Sequence, residues 1–497
     1  MNAEKIEDKN TYEEADLIKD ATALSGTLYS SQILYIIRGF IIARLLSPSF
    51  YGIWSILRSF FGTASYLGFG TQQAMLREVP FSAGEGNKEK KSVIIQTSLS
   101  WNIIISSFVM VLVLVFSFTG FASGYETEIR LSGILYLLNA VHLFMRPKFK
   151  SEQKILLLSK YLFYYAVLNT VCGVILLFFF KLSGLLLGMI IAQLSILIYF
   201  IINGHLSLHL FIDKKVLKEL FRIGLPIMIL WFLVFLIGNV DKFIVFILLG
   251  KTNAGYYGLA AFVSSMVSYI SYSISTVIFP RMMYIYGKTG ERKHIEKYFT
   301  KPMFILSGII PIILGIIYIN VKAVINLLLP KYMPGITVMH ILIAALFFST
   351  IWGLPTNLLI ALNKQKKFMY ITATLLCIDI ILDLILIKIG HGMTAIALVT
   401  TFIFFLSSAL ANGYALFTLK KGFSEIILNL VMIYWPFVYS FAGMFFIIAF
   451  SYSNQIIFDN LAKSLLFILF NVPLIIYIEK KSNIISKVFS SFKRSSK

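Results

Sequence analysis

Charge is scarce in this sequence. Asp, Glu, Lys and Arg make up 13% of its 497 residues, about half the fraction usual for a soluble protein. Cysteine is scarcer still, with Cys172 and Cys377 both set inside apolar runs. That excludes a disulfide framework and a thiolate metal site, and small-hydrophobe packing is the expected role. Long polar stretches are missing too, so no loop is expected to fold as an extramembrane domain. The first twenty residues are acidic and polar (Glu4, Glu7, Asp8, Glu13, Glu14, Asp16, Asp20) and lack a basic n-region. They do not read as a cleavable signal, and the first apolar segment is expected to target and insert the chain.

Catalytic signatures are missing as well. GKT occurs at Gly250–Thr252 and Gly287–Thr289, but Val245 and Met282 stand where a phosphate-binding loop needs its earlier glycine. His205 and His209 have zinc-helix spacing, yet Leu206 stands where a metalloprotease needs Glu. Glu126 and Glu128 are the one close acid pair in an outer loop, too little for a metal-dependent glycosyltransferase. No nucleophile–base constellation emerges. The expectation is no enzyme, no cofactor and no metal.

What is present is apolar sequence, 58% of the chain. Runs of 18 or more residues recur, each able to cross a ~30 Å hydrocarbon layer as a helix. They do not alternate, which excludes a membrane barrel. The fold class expected is an all-α polytopic membrane protein of about fourteen spans. They lie at roughly 22–46, 52–78, 93–118, 129–145, 159–180, 184–204, 223–248, 256–279, 302–320, 336–361, 368–387, 393–416, 428–450 and 461–478. The net charge of +21 collects in every second loop, around Lys88–Lys91, Arg146–Lys154, Lys214–Arg222, Arg281–Lys297, Lys364–Lys367, Lys420–Lys421 and the tail from Lys480. That pattern is a topology signal and not a nucleic-acid footprint. It places these loops and both termini in the cytoplasm of a multi-pass cytoplasmic-membrane protein.

The chain also repeats itself. LLSPSFYG ends at Gly52 and LLGKTNAGYYG at Gly258, 206 residues on. Gly86 matches Gly290 at an offset of 204, and Lys181 matches Lys388 at 207. Six spans per repeat preserve orientation, so two lobes related by a pseudo-two-fold along the membrane normal are expected to face a central cavity. The organisation is then a cytoplasmic segment 1–20, an N-lobe 21–204 and an amphipathic surface linker 205–222. A C-lobe 223–417 follows, and then two further helices with a basic tail, 418–497.

Several charges fall inside spans. Arg38, Arg58, Asp241 and Lys242 lie at similar depth, roughly 10–12 Å below the outer boundary at 1.5 Å rise per residue. A cation at helix centre costs on the order of 3 kcal/mol, so several in one layer point to a wet or anion-binding cavity. The alternatives are snorkelling, clearest for Arg44 near its helix end, and a structural Arg–Asp pair. Polar faces accompany these residues: Thr27, Ser31 and Tyr35 beside Arg38; Gly62, Ser65 and Gln72 beside Arg58; and Ser264, Ser268, Ser271 and Ser275 on helix 8. Each is either a helix-packing stripe or a surface for sugar hydroxyls. Asp379 and Asp383 lie one turn apart on helix 11, candidates for proton or cation coupling together with Asp241, or for structural hydrogen bonds.

ARLLSPSFYGIWS (Ala43–Ser55), GFGTQQAMLREV (Gly68–Val79), FRIGLPIMI (Phe221–Ile229), NVDKFIVFILLGKTNAGYYGLA (Asn239–Ala260) and GHGMTAIALVT (Gly390–Thr400) resemble the polysaccharide (Wzx-type) flippases. These belong to the multidrug/oligosaccharidyl-lipid/polysaccharide exporter superfamily. The resemblance covers about residues 20–450. It implies two six-helix lobes, alternating access, and transfer of a lipid-diphosphate-linked oligosaccharide from inner to outer leaflet. Arg38, Arg58, Lys242, Gln72 and Tyr35 are then the substrate-binding candidates. Membrane lipids, a glycan polymerase and glycosyltransferases are the partners to expect. A cation-coupled multidrug exporter of the same superfamily and a membrane glycan polymerase or ligase are the competing readings.

Overall fold

A computed structural model describes residues 24, 26–119, 124–206, 209–289, 291–453 and 455–482. The acidic N-terminal segment and most of the basic tail lie outside these residues. The described chain is helical throughout its length, and its helices fall into two compact units, residues 1–232 and 233–497.

In the first unit, helix α1 (26–45) leads through Leu46 and Ser47 to α2 (Pro48–Thr63). The SPSFYG stretch is not a loop as expected. Ser47 caps α2 by accepting from the Phe50 amide, and Pro48 occupies the first turn, where its missing N–H is no loss. The second expected span is also not continuous. It breaks at 64–70 and resumes as α3 (Thr71–Gly84). Phe69 and Gly70 both have positive φ, 47° and 85°, which ends one helix and starts the next. Gly70 also meets Gly224 backbone to backbone: a Cβ built on Gly70 would lie 2.2 Å from the Gly224 carbonyl carbon.

Helices α4 (Lys88–Phe116) and α5 (Glu126–Ser151) follow, then α6 (Ile155–Ile202). Helix α6 folds at Phe180–Lys181 into two arms. Gly184 and Gly188 let the arms touch at the backbones of Leu176 and Cys172. Helix α5 packs against α3, α4 and α6, around the fully buried Met145, Phe149, Leu158 and Tyr161. The linker expected to be helical over 205–222 becomes so only from Lys214, and it runs unbroken into the seventh span as α7 (Lys214–Ile237). The Asp213 side chain accepts from the amides of Lys215 and Val216, which sets that start.

The seventh span is interrupted at Gly238–Asn239 and resumes as α8 (Val240–Ile244). It ends in a π-turn over Val245–Leu249 and a left-handed Gly250. In the second unit α9 (Lys251–Thr289), α10 (Arg292–Leu328), α11 (Ile336–Ala361), α12 (Gln365–Lys388) and α13 (Met393–Thr418) follow. Helix α11 is the most enclosed, packed between α9 and α13. Ser271 donates to the Thr350 carbonyl at 2.7 Å, and Gly353 faces Ser271 and Ser275, so this part of the helix 8 serine stripe packs helices. The Ser268 side chain is outside the described set.

The chain closes with α14 (Phe423–Ile448), α15 (Ile456–Phe470) and α16 (Val472–Ser482), the last expected span being two pieces joined at Asn471. These helices are keyed into the unit. Phe467 fills the space a side chain at Gly315 would need, Ile478 the space at Gly308, and Phe470 the space at Gly443. In lipid, where burying apolar surface drives little, such close packing is what holds helices together. Among the described residues, nine helical stretches are long and apolar enough to cross a membrane, α6 counting as one.

Candidate functional site

Each unit carries a buried polar constellation. In the second unit, Asp379 and Asp383 stand one turn apart on α12 and are fully buried. The break at Gly238–Asn239 brings Asp241 into the first turn of α8, 3% exposed. One carboxylate oxygen from each of the three lies within 4.8 Å of the others. Tyr257 on α9 donates to Asp241 Oδ2 at 2.9 Å. Thr400 Oγ1 on α13 lies 2.6 Å from the same oxygen and 2.9 Å from the Ile396 carbonyl, and its single proton serves one of them. Asp241 Oδ1 and all four oxygens of Asp379 and Asp383 have no hydrogen-bond partner. The next residue, Lys242, turns its ammonium to Asn239 Oδ1 at 2.8 Å.

Three ionised carboxylates at this spacing repel by about 3 kcal/mol per pair even at an effective dielectric of 20. The site must therefore hold protons or a cation. Its donors are all oxygen, which suits a proton or a hard alkali or alkaline-earth cation and not a soft metal. The sequence marked each acid separately. It did not show that helices 7 and 11 bring them together, or that Tyr257 and Thr400 complete the site.

In the first unit, Arg38 on α1 is 6% exposed, and its Nε and Nη2 have no hydrogen-bond partner. The guanidinium carbon lies 6.0 Å from the Trp54 ring centroid. Gly173 on α6 borders the guanidinium: a Cβ there would be 3.4 Å from Arg38 Nε and Nη2, in van der Waals contact. No acid among the described residues forms an ion pair with Arg38. Arg58 on α2 is exposed and within electrostatic reach of Arg38, as is the half-buried Tyr35. Gln72 is engaged elsewhere: its amide donates to Asn102 Oδ1 at 3.0 Å, beside the break between α2 and α3.

Residues that the sequence reading left out of the site, Arg146 among them as a loop charge, gather about Tyr165, which lies within electrostatic reach of Arg38. His142 on α5 bonds Tyr161 through Nδ1 at 2.7 Å and lies over Tyr165, ring centroids 3.7 Å apart. Gln193 donates to the Tyr165 hydroxyl at 3.1 Å. Arg146, one turn beyond His142, has a buried, unpartnered Nε, as His142 has an unpartnered Nε2. Tyr165 is within electrostatic reach of both Arg38 and Arg146. The one available signal was the four-residue spacing of His142 and Arg146 on a single helix face.

Of the charges expected at one depth, Arg38 and Arg58 belong to the first unit and Asp241 and Lys242 to the second. Comparison with known proteins places the chain. Residues 41–334, more than half the chain, match the family model described as polysaccharide biosynthesis protein. A Shigella flexneri protein named for O-antigen transport is 23% identical over 367 residues, covering 68% of this chain and 82% of that protein. The structure of the lipid II flippase MurJ in an inward closed conformation aligns with a TM-score of 0.69 at 16% identity, covering 92% of this chain and 99% of that one. An inward-facing multidrug resistance MATE transporter of the MOP superfamily aligns at 0.64 and 14% identity, covering 78% and 94%. The chain thus belongs to the polysaccharide biosynthesis protein family, as a multi-pass membrane protein.

Proposed function

We propose that this protein moves a lipid-diphosphate-linked oligosaccharide from the inner to the outer leaflet of the cytoplasmic membrane by alternating access. Both termini lie in the cytoplasm, as the loop charges require. The observation that carries the reading is Arg38: a buried cationic group whose Nε and Nη2 have no hydrogen-bond partner and which pairs with no acid among the described residues. Holding such a group in a membrane interior is costly unless an anion arrives to pair with it. The cargo diphosphate supplies that anion, with Arg58 at the exposed approach and Tyr35 on the same face of α1. The lipid tail stays in the bilayer.

The carboxylates of the second unit supply the drive. Protons or a cation bind among Asp241, Asp379 and Asp383, and their release on the opposite side resets the transporter. The membrane potential assists, since moving an anion outward from a negative interior releases about 2.3 kcal/mol per charge per 100 mV. The acid cluster would equally serve a cation-coupled drug exporter. Arg38 and the family match favour the anionic glycolipid. The test is flipping in proteoliposomes of a defined lipid-diphosphate-linked sugar by an Arg38→Glu, Arg58→Glu double variant. The variant inserts normally and does not flip; full activity would remove the site assignment.

A further inference from the structure

A cavity of about 330 Å³ opens between α10, α13 and α14 of the second unit, within the ~300–1,000 Å³ range of small-ligand sites. It is distant in sequence from every carboxylate of the acid cluster. Its wall is apolar: Phe299, Met303 and Phe304 on α10, Leu416 on α13, and Met432 and Ile433 on α14. Its polar lining includes the exposed Lys301 and the half-buried Asn429, whose amide donates to the Glu425 carbonyl at 2.7 Å.

The charge around the mouth is organised. Lys293, Lys297 and Lys301 recur every four residues and are all exposed, a lysine stripe along one face of α10 that ends at the cavity. The neighbouring acids do not cancel it. Glu296 is held by Lys421 at 2.9 Å, a bond that raises the Lys421 ammonium above its ordinary pKa. Glu291 sits 3.2 Å from His294. Glu425 remains, at the start of α14 and within reach of Lys421. Among the described residues Lys301 forms no ion pair.

We infer that this groove is a binding site for an anionic phospholipid of the inner leaflet, its phosphate between Lys301 and Asn429 and one acyl chain along the Phe304–Met432 wall. The charge complementarity selects the occupant. The loop-charge topology puts this end of α10 at the cytoplasmic surface, where anionic headgroups concentrate, and each near-surface lysine adds about 1 kcal/mol of attraction to them. The apolar wall accepts the chain that a soluble phosphate lacks. The inference is independent of the cargo and of the acid cluster.

The test uses the full chain in lipid nanodiscs containing a trace of diazirine-bearing phosphatidylglycerol, or phosphatidylcholine with the same chains, and maps the photoadducts by mass spectrometry. Phosphatidylglycerol labels the 299–304 and 429–433 segments, and phosphatidylcholine does not. Lys297→Gln with Lys301→Gln, two exposed positions, lowers the labelling by roughly thirtyfold, the effect of two near-surface lysines. Met432→Trp, which fills the groove, lowers it with the lysines intact. Equal labelling by both lipids, or labelling that survives both variants, would overturn the inference. So would displacement of phosphatidylglycerol by an isoprenoid lipid phosphate but not by excess phosphatidylglycerol, since the groove would then hold the tail of the cargo.

Discussion

On the proposed function, Arg38 and Asp379 are the two side chains on which transport most depends, and they fail in different ways when changed. Arg38→Gln leaves a neutral, buried side chain of similar length, so the helix still inserts. The cargo then loses a charge-assisted partner, which truncation data for buried charge pairs put at about 2–5 kcal/mol, or roughly thirtyfold and more in cargo affinity. Equilibrium binding of the glycolipid to the purified variant measures this. Asp379→Asn removes one of three mutually repelling carboxylates. The variant is at least as resistant to heating as the parent in cation-free buffer, yet loses the cation- or proton-gradient dependence of flipping. A parent-like gradient response would remove Asp379 from the coupling site. These residues were visible in the sequence because a charge inside an apolar run is rare. Their partners were not. Tyr257 and Thr400 are ordinary side chains for such helices, and only tertiary packing turns them toward Asp241, beside Asp379.

At the level of elements, the breaks matter more than the helices. The apolar runs predicted helix existence well, because length and hydropathy decide membrane insertion segment by segment. They predicted the interruptions poorly. The stop at 64–70 comes from Phe69 and Gly70 at positive φ, against the backbone of Gly224 about 150 residues later, a contact that no local pattern announces. Gly70→Ala puts a Cβ into that backbone and forces a left-handed alanine, a cost of at least about 3 kcal/mol. Gly86→Ala, also left-handed but facing open space, costs only about 1–2 kcal/mol. Thermal unfolding of the two variants in one detergent separates them, and equal losses would mean the Gly70–Gly224 approach is not closely packed. In the second unit Gly315→Val displaces Phe467 from its notch. Limited proteolysis then cuts ahead of α15 sooner than in the parent, while the acid cluster, on other helices, keeps its coupling.

For the whole molecule, fold class and family were legible in the sequence because composition, loop charge and a repeat near 206 residues all bear on the same architecture. The grouping of Asp241 with Asp379 and Asp383 was not, since depth along a helix says nothing about which neighbour a side chain faces. Topology has its own check. Single cysteines at Lys90 and Lys366, in a chain whose Cys172 and Cys377 are replaced, label only from the cytoplasmic side, and labelling from outside would invert the account. The central claim is that a buried guanidinium, with no ion pair among the described residues, awaits the diphosphate of a glycolipid. It is tested most directly by measuring the affinity of the parent and of Arg38→Gln for two glycolipids that differ only in having a diphosphate or a neutral linker. The account predicts that the parent prefers the diphosphate by roughly thirtyfold or more and that Arg38→Gln loses the preference. Equal affinity of the parent for both lipids, or an undiminished preference in Arg38→Gln, would contradict it.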